Sequence, residues 1–204
     1  MIVIIDYGMG NLKSVYNALV KINCECMISS NADDIKNADA LILPGVGAFP
    51  DCMDNLNRSG LPSIIKEEVK KGKPLLGICL GMQVLFEKGY EGEEREGLGL
   101  LQGKIKKMED PNVKIPHIGW NNLEKNRDDE LLKGLKDNSF VYYVHSYRVE
   151  GYREEDLVGY STYGHLKIPG LFRCGNIMGA QFHPEKSGED GLNILRNFKE
   201  LVLW

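Results

Sequence analysis

Two short segments hold residue types that do chemistry together. Gly77-Ile78-Cys79-Leu80-Gly81 sets a cysteine between two glycines, the spacing of a nucleophile elbow with sulfur in place of serine oxygen. Such an elbow turns a buried strand into a helix so tightly that side chains two residues to either side would collide. A free cysteine is by default a small core residue; the paired glycines at a strand-to-helix junction set Cys79 apart. A helix N-terminus beside the sulfur would favour thiolate.

Gln181-Phe182-His183-Pro184-Glu185 supplies an imidazole and a carboxylate two residues apart, after a strand-like run from Ile177. The intervening proline fixes φ and discourages helix, so both side chains are held in one geometry at a strand end. A carboxylate on one ring nitrogen sets the tautomer and stabilises imidazolium, leaving the other nitrogen for a nucleophile. Alone, His-Pro-Glu reads as a surface turn; beside the elbow it completes a Cys79–His183–Glu185 triad. Of the four histidines, His145 is the rival base. It lacks a nearby acidic partner in the sequence and reads as a strand histidine lining or packing near the site.

The elements around these segments follow from periodicity. Residues 3–6 form a short apolar strand ending in Tyr7-Gly8-Met9-Gly10. Leu12, Val15, Leu19 and Ile22 share one helical face. Further strands are predicted at 25–29, 40–43 and 74–78, and helices at 32–38, 61–71 and 80–88. Strands alternating with helices call for a parallel sheet covered on both faces. From Gly97 the texture changes to short β-rich pieces at 100–107, 114–118, 140–149, 157–163, 171–174 and 177–182, closed by a helix at 191–202. The fold class expected is flavodoxin-like α/β: an open, mostly parallel sheet with helices on both faces and a more antiparallel C-terminal half. No repeat or long linker divides the chain, so residues 1–204 are expected to form one domain.

Composition excludes several functions. The chain has 204 residues, 43% hydrophobic and 26% charged, with a net charge of −4 and no basic block, so no nucleic-acid surface is expected. No apolar run approaches the ~20 residues that cross a bilayer, and the opening segment lacks the basic region of a signal peptide. The five cysteines are odd in number and irregularly spaced, which suggests neither a disulfide framework nor a zinc site and fits a reducing cytoplasm. Gly8-Met9-Gly10 lacks the third glycine of a dinucleotide turn. Neither cofactor nor metal is expected.

With these motifs in hand, the chain resembles, essentially end to end, class I glutamine amidotransferases of the triad type, and among them the glutaminase subunits of imidazole glycerol phosphate synthase. Asp6 through Leu12, Pro44-Gly45-Val46-Gly47-Ala48-Phe49, Gly77 through Gln83, His117-Ile118-Gly119-Trp120-Asn121 and Gln181 through Ser187 carry the likeness. Val46 favours this subfamily over its relatives. The resemblance implies that Cys79 attacks the side-chain amide of glutamine to form a γ-glutamyl thioester. His183 then protonates the departing ammonia and activates water, and Glu185 orients His183. An oxyanion hole is implied at the N–H of Leu80 and in the Gly45-Val46-Gly47 loop, whose glycines suit a peptide that reorients when the partner site is filled. Gln83, Glu91, Ser146 and Tyr147 are implied at the glutamine pocket; Gly89 stands where relatives often carry serine.

The implied partner is a (β/α)₈-barrel cyclase, joined as a heterodimer, that combines ammonia with a phosphoribulosyl-formimino aminoimidazole carboxamide ribonucleotide. It yields imidazole glycerol phosphate and an aminoimidazole ribotide in histidine biosynthesis. Asn11, Trp120, Tyr143 and Lys186 are implied at that interface. Two other enzymes are alternatives: a paralogous subunit feeding a sugar-modifying synthase, whose motifs would look the same, and a stand-alone cysteine hydrolase or peptidase on the same flavodoxin-like architecture. The second leaves the 44–49 loop and Gln83 without a purpose. A regulatory subunit that only binds a barrel would predict a broken triad, and all three members are present.

Overall fold

The computed structural model describes residues 1–202. Its first half alternates strands and helices: β1 (Ile2–Ile5), α1 (Leu12–Lys21), β2 (Cys26–Ser29), α2 (Ala32–Asn37), β3 (Ala40–Gly45), α3 (Phe49–Ser59), α4 (Leu61–Lys70), β4 (Leu75–Cys79) and α5 (Leu80–Gln83). The second half is strand-rich. It runs β5 (Phe86–Gly89), β6 (Arg95–Glu96), β7 (Leu101–Lys107), β8 (His117–Asn122), β9 (Glu124–Lys125), β10 (Phe140–His145), β11 (Tyr147–Glu150), β12 (Leu157–Tyr163), β13 (Leu166–Cys174), β14 (Ile177–Ala180) and α6 (Gly188–Val202).

The main sheet has the order β2-β1-β3-β4-β14-β13-β12-β9. Its first five strands are parallel and the rest antiparallel. This is the expected flavodoxin-like class with an antiparallel second half. Period-two alternation splits the core across the sheet. Ile2 and Ile4 join α1 and α6 on one face, while Val3 and Ile5 join α3 and α4 on the other. In such a sheet, ligands bind beyond the carboxyl ends of the strands. β3, β4 and β14 end there together, with Gly45 in register with Cys79 and Ala180 with Ile78.

Three elements differ from the sequence expectation. The helix expected at 80–88 stops at Gln83, because the next backbone is claimed by long-range pairing: Leu98 N–H donates to Val84 C=O, and Leu100 and Leu101 N–H to Leu85 C=O. Phe86 onward becomes a strand beside β7. Helix α3 was not anticipated, although Phe49, Cys52, Met53 and Leu56 are all buried on one face. The expected strand at 140–149 is two strands, β10 and β11, separated at Ser146.

Candidate active site

Cys79 ends β4 with φ 55° and ψ −112°, a left-handed conformation that costs a non-glycine residue about 1–3 kcal/mol. The surrounding glycines enforce it. A Cβ on Gly81 would stand 1.8 Å from Leu43 O, one on Gly77 2.6 Å from Gly81 O, and one on Gly45 2.6 Å from Gly81 N. The elbow is thus pressed against β3 with no room for side chains. Only four residues of helix follow the cysteine, so the macrodipole expected to favour thiolate is that of a single turn.

His183 lies just beyond β14, and its Nδ1 is 2.8 Å from Glu185 Oε1, both side chains almost fully buried. The carboxylate accepts, so Nδ1 carries the hydrogen. Nε2 forms no hydrogen bond of its own and is left for the nucleophile, as the triad requires. Burial alone would lower the imidazole; the adjacent Cys79 sulfur and Glu185 carboxylate outweigh it and raise the ring to about 9. A raised value means the folded state holds this proton more tightly. The associated stability is complete below the unfolded value of about 6.5 and fades as pH rises through the folded one. An NMR titration of His183 is therefore expected to centre near 9, and Glu185→Gln to move the midpoint down. An unmoved midpoint would remove Glu185 from its role.

The remaining expected residues line one cavity of about 350 Å³ with Cys79 and His183: Val46, Gly47, Leu80, Gln83, Glu91, Ser146 and Tyr147. Gly45 is not on that wall but behind it, where its missing side chain admits the elbow. Gln83 spends both N–H bonds on protein, to Tyr147 O at 3.2 Å and Gln181 Oε1 at 2.9 Å. Only its carbonyl oxygen remains for a ligand. Glu91 accepts from Phe49 N–H at 2.8 Å, closing the start of α3 directly after the 44–48 loop. Gly89 makes this possible, since a Cβ there would meet the Phe49 ring at 2.5 Å. The Tyr7-Gly8-Met9-Gly10 turn also gains a purpose: Tyr7 OH donates to Pro44 O at 2.8 Å beneath the loop.

Of the expected interface residues, Trp120 and Lys186 are exposed and Asn11 half-buried. Asn11 holds the N-cap position of α1 with no side-chain capping bond. Tyr143 is a correction. It is fully buried, with its hydroxyl 2.8 Å from Ser161 Oγ. In the β8–β10 ladder Tyr142, not Tyr143, stands opposite Trp120, and neighbouring residues on a strand face opposite ways. Sequence reasoning missed Gln181, whose side chain lies 3.9 Å from Cys79 Sγ. It sits inside the quoted motif, but nothing in its type marked it. His145 lines the pocket, in keeping with the sequence reading, and lies 3.0 Å from His117, to which sequence reasoning gave no separate role. Among the described residues no group of His, Cys, Asp or Glu is placed to hold a metal.

Residues 3–201 match the glutamine amidotransferase class-I family. The chain is 54% identical to the imidazole glycerol phosphate synthase subunit HisH of Bacillus cereus (strain B4264) over 202 residues, covering 99% of this chain and 95% of that one. It is 52% identical to the HisH subunit of Lactococcus lactis subsp. lactis (strain IL1403) over 201 residues, 98% of each chain. A crystal structure of a glutamine amidotransferase superposes with TM-score 0.78 at 20% identity, covering 99% of both chains. PurLQS from Thermotoga maritima superposes with TM-score 0.76 at 22% identity, 98% of both. The chain belongs to the class-I glutamine amidotransferase family, and within it to the HisH subunits of imidazole glycerol phosphate synthase.

Proposed function

We propose that Cys79, His183 and Glu185 hydrolyse glutamine in the 350 Å³ cavity and that the ammonia passes to a (β/α)₈ cyclase subunit making imidazole glycerol phosphate. The convergence of nucleophile, base and amino-acid-sized cavity carries this reading. The Cys79 sulfur attacks the carboxamide carbon, and the oxyanion is met by Leu80 N–H and a donor from the 45–47 loop, each worth about 2.7–4 kcal/mol. His183 gives its proton to the departing nitrogen, leaving a thioester. Water then loses a proton to His183, adds to the thioester carbon and expels the thiolate as glutamate forms. Gln83 Oε1 and the Glu91 carboxylate are acceptors suited to the α-ammonium of glutamine. We read residues 1–204 as one amidotransferase unit, since the family match spans nearly all of it.

The docking surface is read from strand parity. Ile118 and Trp120 of β8 face Tyr142 and Val144 of β10 across the ladder. Trp120 at 55%, Ile118 at 58% and Phe140 at 48% exposure form an apolar stripe, and Val46 and Val144 line the pocket on the same side. A stripe of this kind marks an interaction site. Asn11 and Lys186 would join it. The five free cysteines support a reducing, cytoplasmic setting, and among the described residues no helix is long and apolar enough to cross a membrane.

Glutamate release, with and without cyclase and its nucleotide ligand, tests the whole. Strong stimulation by the liganded cyclase is expected, and Trp120→Ala is expected to weaken the complex by about 2 kcal/mol or more by calorimetry. Hydrolysis indifferent to the cyclase would send the ammonia to another acceptor.

A further inference from the structure

The face of β8 and β10 turned away from the apolar stripe holds a continuous hydrogen-bond chain. His145 Nδ1 lies 2.8 Å from Tyr147 O. A carbonyl only accepts, so the hydrogen is on Nδ1 and Nε2 is an acceptor. His117 Nδ1, at 3.0 Å from that Nε2, must therefore donate. His117 Nε2 is then the acceptor facing Asn121 Nδ2 at 3.3 Å, whose other hydrogen goes to Thr162 O at 3.0 Å. One assignment satisfies every group, and in it both rings are neutral. Burial acts the same way, lowering His117 to about 4 and His145 to about 3.

The chain ends on the wall of the pocket. Tyr147 O takes a second bond from Gln83, which leads through Gln181 toward Cys79. Ser146 and Tyr147 line the cavity itself. His117 is rigid, stacked between Tyr143 and Tyr163 at centroid distances of 4.6 and 4.1 Å. Neither of these histidines takes part in the proton transfers derived above.

We infer that His117, acting through His145, is a positioning residue that holds the Ser146–Tyr147 wall at the distance from Cys79 that glutamine requires. This rests on the glutamine-pocket reading and extends it to a residue that touches no substrate. Without the His117 donor, His145 Nε2 is a buried acceptor with no partner. Its ring then turns to find one, and the Tyr147 carbonyl loses one of its two anchors.

Two substitutions separate hydrogen bonding from packing. His117→Phe keeps the stacked ring and removes the donor. His117→Asn places an N–H near Nδ1 and removes the stack. In the full complex with liganded cyclase, His117→Phe is expected to raise the glutamine KM about tenfold, one hydrogen bond's worth, with kcat nearly kept and the melting temperature unchanged. His117→Asn is expected to melt lower yet hold a KM close to that of the parent. A KM unmoved by His117→Phe, a larger KM change in Asn than in Phe, or a fall in kcat alone would overturn the positioning role. Parent protein with no glutaminase activity would instead overturn the pocket reading, a result separable from any of these.

Discussion

Cys79→Ser is expected to fold normally and to lose glutamine hydrolysis by roughly 10⁴-fold or more, the scale seen when one member of a catalytic triad is removed. The loss follows from the resting state of the site. Against the effect of burial, the adjacent Cys79 sulfur and Glu185 carboxylate raise His183 to about 9, and its second nitrogen has no other partner. A thiol can yield its proton to such a ring, whereas a serine hydroxyl is far too weak an acid to do so without further help. The fold survives because the strained φ of 55° is imposed by the glycines packed around the elbow and not by the sulfur. Circular dichroism and the melting temperature test the fold; glutamate release in the presence of liganded cyclase tests the chemistry. Turnover within tenfold of the parent would remove Cys79 as nucleophile.

Gly81→Ala is expected to cost more stability than any other single methyl group added at a glycine, at least about 4 kcal/mol, which is the diagnostic tail of single substitutions. The added Cβ would lie 1.8 Å from Leu43 O and 2.8 Å from Leu43 C. Both atoms belong to the backbone of β3, which is paired on one side with β1 and on the other with β4. No flexible side chain can move aside, so the sheet or the elbow must deform. Gly60→Ala is the control. It has nothing within 4 Å and a φ of +70°, so only the left-handed backbone penalty of about 1–2 kcal/mol is expected. Urea denaturation of the pair decides the matter: equal losses would mean that the elbow is not held by contact with β3.

Much of this was legible in advance, and the failures have identifiable causes. The parallel half follows from apolar runs alternating with 3.6-residue periodicity, and every strand expected there is present. The meeting of Cys79, His183 and Glu185 at one pocket was readable because the two motifs are local and complete each other. Helix α3 was missed because Pro50 and a run of Asp and Asn mask the spacing of Phe49, Cys52, Met53 and Leu56. The long elbow helix was overextended because its apolar residues suit either period. What decides between them is pairing with residues 97–101, beyond the span in which the periodicity is read. Tyr143, expected on the outward face, is fully buried, because a single step along a strand inverts the face. Gln181 and His117 needed three dimensions, since their importance lies in partners up to 102 residues away.

The outward stripe and His183 are tied together through the backbone of β10. His183 N–H donates to Tyr142 O at 2.9 Å, and Ser187 Oγ bridges Tyr142 N–H and His183 O. Anyone redesigning this subunit to feed a different synthase thus meets a parity constraint. Positions 118, 120, 140, 142 and 144 offer side chains that can be exchanged to fit a new surface. Positions 117, 121, 141, 143 and 145 belong to the hydrogen-bonded and packed interior and must be left alone. A successful redirection would alter every second residue of two strands and shift neither backbone, so that new specificity is written on one side of a ribbon whose reverse is already spoken for.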